Sequence, residues 1–209
     1  MKNLIKPSSI LAIAVAAMLA AAQAAAAIYV RIEGVMGDVQ GPGPAENGKW
    51  FIADSFSFGV EREMKESGEK GGTTDINIGV GELQEIEVTK SFGLATAKLA
   101  QFAANGRTLG SCDVCFTEGN DASGKPICYL RYKLDRVFVK SWSINGQGDD
   151  RPTEEVSFYY NKIAFAYAAT DDDGNVSEQT MDWDNERNRP WPDGLNGIFD
   201  IIGDPVRDP

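Results

Sequence analysis

Along 156–168, Val156, Phe158 and Tyr160 fall on every second position, and Ile163, Phe165 and Tyr167 resume the alternation in the opposite parity. Period-two spacing of this kind marks a strand with one buried face. The change of parity between Tyr160 and Ile163 predicts a bulge or sharp twist at Asn161 and Lys162 if the strand is to serve a single core. At ~3.3 Å per residue the segment would run about 40 Å, enough to span a small barrel. The same rhythm appears at 28–33, where Ile28, Val30 and Ile32 alternate with Tyr29, Arg31 and Glu33. It recurs at 50–60 through Ile52, Phe56, Phe58 and Val60, and at 83–89, where Leu83, Glu85 and Glu87 oppose Gln84, Ile86 and Val88. Further strands are predicted over 76–81, 109–118, 127–144 and 176–183, the last pairing with 156–168 across the turn at 171–175.

One stretch has a different period. In "TAKLAQFAANG" the spacing of Leu99, Phe102 and Ala103 puts them on one helical face, Thr96 is a capping residue, and Gly106 suits the stop. A single helix over 97–105 is therefore expected to cover an end or side of the β-structure. Glycine and proline make 34–49 a loop, 61–75 reads as a long polar loop, and "GNDASGKP" joins two strands as a hairpin. Successive hairpins with one helix predict a mainly β fold, a compact antiparallel β-barrel or sandwich with one flanking α-helix.

Charge and composition narrow the function. The chain has 209 residues and a formal charge of −11. It shows no basic cluster of the sort that phosphate backbones require, which argues against nucleic-acid or anionic-lipid partners. It contains no histidine, so Ser-His-Asp and Cys-His catalysis are excluded. No carboxylate pair stands out as catalytic, and the expectation is a protein that is not an enzyme, with no cofactor.

The first residues have another character. Lys2 and Lys6 precede an apolar block at 10–22, followed by small residues with A-x-A sites at 22–24 and 25–27. This is the layout of a secretory signal peptide. The competing reading is an uncleaved membrane anchor over the uncharged stretch 7–30, but alanine is a weak membrane-seeker. Residues 1–27 are accordingly expected to be removed, with no stable membrane insertion afterwards. Removal would take the charge from −11 to −13.

Several smaller patterns have competing readings. Cys112-x-x-Cys115 has the spacing of a zinc or redox motif, but with no histidine for a fourth ligand and no βαβ context the expectation is no metal. A hairpin turning near Asp121 would face Cys115 with Cys128; export permits a disulfide there, and three buried thiols is the competing reading. The run Asp171, Asp172, Asp173, Gly174, Asn175 lacks the glycine spacing of a calcium loop and reads as a turn. The glycines at 71, 72, 79 and 81 lack the Gly-Lys-Ser/Thr of a phosphate loop. In the tail, 191–209, Leu195, Ile198, Phe199 and Ile202 follow i, i+3, i+4, i+7 and suggest a short amphipathic helix, weakened by Gly197. It would pack on its own barrel or dock on a neighbour.

"GDDRPTEEVSFYYNKIAFAY", 148–167, closely resembles the signature of the Hcp family, the haemolysin-coregulated proteins that form the inner tube of type VI secretion systems. "IYVRIEGVMGD", "WFIADSFSFGV", "IEVTKSFGLATAKLAQFAANG", "LDRVFVKSWSI" and "MDWDNERNRP" resemble its other segments in order, so that the likeness covers 28–190. It implies a non-enzymatic barrel that assembles as a homohexameric ring. Rings stack as a tube inside a contractile sheath, topped by a trimeric spike, and the lumen carries small effectors. It also moves Asp149, Asp150, Arg151, Glu154 and Glu155 towards a subunit interface, against local screening at an exposed surface. The loop 61–75 either projects to dock a neighbouring ring or is simply solvated. Pro152 holds Arg151 towards an extended conformation and so sets the angle of the charged loop. The signal-like start departs from the family pattern, whose members are made in the cytoplasm. Two readings follow: an exported, periplasmic or secreted bacterial protein that shares the fold as a binding module, or a cytoplasmic tube subunit whose start is miscalled, with Met18 as an alternative.

Overall fold

The computed structural model describes residues 26–42, 49–66, 76–121, 124–171, 173 and 175–202. The signal-peptide segment up to Ala25, with Met18, lies outside them, as do the tip of the 61–75 loop, Asp172 and Gly174. The elements are β1 (Ala27–Ile32), β2 (Trp50–Ala53), β3 (Ser55–Ser57), β4 (Val60–Glu66), β5 (Ile76–Leu83), β6 (Ile86–Ser91), α1 (Thr96–Asn105), β7 (Thr108–Asn120), β8 (Pro126–Asn145), β9 (Thr153–Thr170) and β10 (Val176–Asp184), followed by a 3-10 turn, Pro192–Leu195. The main sheet runs β2-β1-β7-β8-β9-β6-β3, all antiparallel, with β10 on the free side of β9. The two ends of that path, β2 and β3, are consecutive pieces of one descending segment. β2 pairs with β1, β3 pairs with β6, and the Asp54 amide donates to the Thr89 carbonyl at 2.8 Å. The sheet therefore closes on itself, which satisfies both outer strands without leaving an edge there.

Closure explains a departure from the expected 50–60 strand. The break at Asp54 shifts the parity by one, so Phe51 and Ala53 face the core and Ile52 is 41% exposed. Phe56 and Phe58 return to the core beyond the break, and Val60 lies outside it. Residues 61–66, expected as loop, instead form β4, which pairs with β5 as a separate ribbon with a slip between Arg62 and Met64. The long alternation of β9 does change face at Asn161 and Lys162, but without a one-residue bulge. The β8–β9 register is unbroken from Leu130↔Tyr167 to Val139↔Phe158, and β8 changes face at the same level. Leu134 faces the core below the change, Val137 and Val139 above it, with Arg136 between them in the left-handed region at φ 54°. At that level β9 also changes neighbour, from β6 (Thr153 to Phe158) to β10 (Lys162 to Thr170).

The core is built from the inward positions of all these strands, with Val30, Ile32, Phe51, Ile86, Val88, Val114, Leu134, Val156, Phe158 and Ile163 essentially inaccessible. Leu99 from α1 is fully buried among them, with Phe102 and Ala103 alongside. The helix begins one residue before its expected start: Ala95 is the N-cap and Thr96 the first helical residue. Gly106 ends it in the left-handed conformation, φ 65°, its amide bonded to the Phe102 carbonyl. The tail is not an amphipathic α-helix. It is the 3-10 turn followed by further turns, with Gly197 at φ 64°, and it packs on its own barrel.

Candidate functional site

Three barrel strands meet at one end of the molecule. Thr153, the first residue of β9, lies opposite Asn145 of β8 and Ser91 of β6. The charged connection 146–152 spans that rim beside the start of α1, and the Phe92 amide donates to the Pro152 carbonyl at 2.9 Å. Asp149, Asp150 and Arg151 are exposed, and the Asp150 carboxylate accepts from the Arg151 amide at 2.7 Å. Glu155 is also exposed, on a backbone paired with Thr89 and Ser143. These four remain available to a second molecule.

Glu154 does not, which corrects its assignment as an interface residue. It is 1% exposed and forms an ion pair with Lys90, itself 1% exposed. Its Oε1 also accepts from the Thr96 hydroxyl at 2.6 Å, and its Oε2 from Trp142 Nε1 at 2.5 Å. Lys90 donates further to the Ser91 carbonyl at 2.8 Å and sits 5.4 Å from the centre of the Phe51 ring. Thr96 Oγ1 accepts from the Gly93 amide at 3.0 Å. One buried carboxylate thus ties β6, the start of α1, β8 and β9 together directly beneath the charged loop. A buried charge is tolerable only when its lone pairs are so filled.

Lys90, Thr96 and Trp142 were missed from sequence, yet period two held the signal. Lys90 is in step with Ile86 and Val88, and Glu154 with Val156 and Phe158, so each strand carries one charge on its inward face. Two opposite charges at inward positions are best reconciled if they pair.

At the other end of β6 the β4–β5 ribbon leaves the barrel. Its root is pinned: Tyr160 donates its hydroxyl proton to the Gln84 carbonyl at 2.8 Å, Ser157 Oγ donates to Glu85 at 3.0 Å, and Lys140 pairs with Glu85. The hydrogen bond from Lys140 holds the Glu85 carboxyl below its ordinary range, while burial pushes the Tyr160 hydroxyl above its own.

The outer wall carries a second charged cluster. Asp113 accepts from Arg31 Nη2 and from Arg131 Nη2, each at 2.6 Å, and Arg31 lies 5.1 Å over the Trp50 ring. Beside it, Cys115 and Cys128 are joined as a disulfide with Cα atoms 5.8 Å apart. Cys112, the residue before Asp113 on the strand, faces the core as a free thiol, and burial raises its pKa. The turn at 171–175 is held by Asp171, whose Oδ1 accepts from the amides of Asp173 and Asn175 at 3.0 and 2.7 Å. Among the described residues no three potential ligands gather as a metal site, and no helix is long and apolar enough to cross a membrane.

The family model of the type VI secretion system effector, Hcp, matches residues 29–167. The chain belongs to the Hcp family. Solved Hcp structures are similar to it in fold. A chain described as a type six secretion system protein matches at 22% identity and TM-score 0.62, over 79% of this chain and 99% of that one. Hcp1 from Salmonella typhimurium matches at 16% identity and TM-score 0.59, over 80% and 99%. Hcp2 from the same organism matches at 11% identity and TM-score 0.52, over 78% and 98%. At these identities the likeness is one of fold. No curated protein matches the chain.

Proposed function

We propose that this Hcp-family protein works by self-assembly: six copies form a ring, and rings stack head to tail as a type VI secretion tube. The observation that carries the reading is the placement of two projections at opposite ends of β6. The charged loop stands on the buried Lys90–Glu154 pair at one end, and the β4–β5 ribbon leaves at the other. A subunit with unlike features at its two ends forms heterologous contacts, which extend without limit when the geometry repeats. The exposed Asp149, Asp150, Arg151 and Glu155 are the groups assigned to contacts between copies. Sheath, spike trimer and small effectors are the partners such a tube would meet, and no bond-breaking step is required of the subunit.

The second reading is an exported barrel that has left the secretion machine. It is favoured by the signal-like segment 1–27 and by a tail that lies beyond the family match. The mature chain is to be recovered from fractionated cells, sequenced from its N-terminus, and weighed by light scattering at rising concentration. The tube reading expects a hexamer. A chain cleaved near Ala27 that stays monomeric at high concentration would sink it and leave the second reading.

A further inference from the structure

The disulfide lies on the outside of the barrel wall. Val114 and Phe116 turn inward to the core, and Cys115 between them turns outward. Yet both Cys115 and Cys128 have 0% of their surface exposed. What covers them is partly Tyr29, Val39 and Trp50 of the wall, and partly Ile201 and Ile202 at the end of the tail. Ile202 forms a parallel bridge with Cys128 itself.

The tail is held in place as a strap. Ile198, fully buried, rests on Ala164 and Ala166, whose small side chains leave a shallow floor. Arg131 Nη1 donates to the carbonyls of Gly197 and Ile198 at 2.7 and 3.0 Å, while the rest of its guanidinium is fixed by Asp113. Lys133 Nζ donates to the Asn196 carbonyl at 2.7 Å. Trp191 closes the other end, with Lys162 Nζ 5.2 Å from its ring centre. The strap lies wholly beyond the matched residues 29–167.

We propose that the strap, 191–202, is a lid over the Cys115–Cys128 disulfide, and that its undocking sets how fast an external dithiol reaches the bond. Thiol–disulfide exchange requires a thiolate to approach a sulfur. With the strap docked, Ile201 and Ile202 occupy that approach. Once it lifts, a dithiol thiolate attacks one cysteine sulfur and forms a mixed disulfide. The second dithiol sulfur then displaces the protein sulfur. The dithiol leaves as its cyclic disulfide, two electrons having passed to the protein, and Cys115 and Cys128 each gain a proton.

Dithiothreitol is the probe, added to the purified full chain under native conditions, with free thiols counted by maleimide labelling and mass. Ile198→Asp places a charge on the alanine floor and is expected to speed reduction at least tenfold, with the barrel's circular dichroism retained. Lys133→Ala removes one tether from an otherwise intact strap and is expected to speed it about threefold, and it decides the matter if Ile198→Asp does not fold. Reduction at the wild-type rate in a folded Ile198→Asp chain, or, where that variant fails to fold, in Lys133→Ala, would overturn the proposal. So would free thiols at both cysteines before any reductant is added.

Discussion

Replacing Glu154 by alanine should be the most damaging single change to the barrel that leaves its apolar core untouched. The substitution removes the partner of a lysine that is 1% exposed, and takes away the acceptor of the Thr96 O–H and of the Trp142 indole N–H. Breaking a buried ion pair from one side costs about 3–5 kcal/mol. For a domain of this size each kcal/mol lowers the melting temperature by roughly 2–4 °C, so a fall of about 6–20 °C is expected. The double variant Lys90→Met, Glu154→Leu removes both charges together, and such replacements are often neutral or better. It should recover at least ~2 kcal/mol relative to the sum of Lys90→Met and Glu154→Leu made singly. Urea unfolding of the oxidised chain, followed by tryptophan fluorescence, measures all the terms of the cycle. A loss below ~1 kcal/mol for Glu154→Ala, or strictly additive single changes, would refute the view that this pair anchors the charged end.

Other expectations follow from the same geometry. Arg151→Glu reverses an exposed charge and, on the proposed ring reading, should lower the assembled mass in light scattering, while unfolding free energy stays within about 0.5 kcal/mol. Maleimide should label no cysteine in the folded oxidised chain, one in the unfolded oxidised chain, and three after reduction and unfolding, because Cys112 is buried with its pKa raised and Cys115 and Cys128 are bonded. The Glu85 carboxyl is held low by Lys140. Its contribution to stability is therefore present above the ordinary carboxylate pKa and lost as pH falls through the lower folded value, and Lys140→Ala should raise that folded value in an NMR titration. Gly106→Ala should cost roughly 1 kcal/mol in thermal unfolding, since the helix ends there at φ 65°.

Period two made most of the barrel legible, because a half-buried strand must alternate. It failed at Ile52, where a break at Asp54 lets one segment serve two neighbours, and alternation has no mark for the handover. Residues 61–66 looked like a loop because their letters are almost all charged, with no alternation; their pairing with β5 is a backbone register that such letters do not report. In the tail, Leu195, Ile198, Phe199 and Ile202 do gather on one side, but 3-10 and other turns achieve this as readily as an α-helix, and Gly197 favours them. The rim was half visible: the family signature marks the charged run as a whole, and parity with Val156 and Phe158 separates the buried Glu154 from Asp149, Asp150, Arg151 and Glu155.

The simultaneous change of face in β8 and β9 reaches further than the two strands themselves. Above Arg136 their inner side holds the barrel together, and below it Ala164 and Ala166 turn away from the interior and become a landing platform. Below Arg136 the ribbon therefore has two occupied sides, Leu134 and Ile163 turned to the interior and Ala164 and Ala166 turned to the strap. A substitution in these two strands is thus read by two different neighbours, the barrel interior or the carboxyl-terminal strap, according to the side it faces.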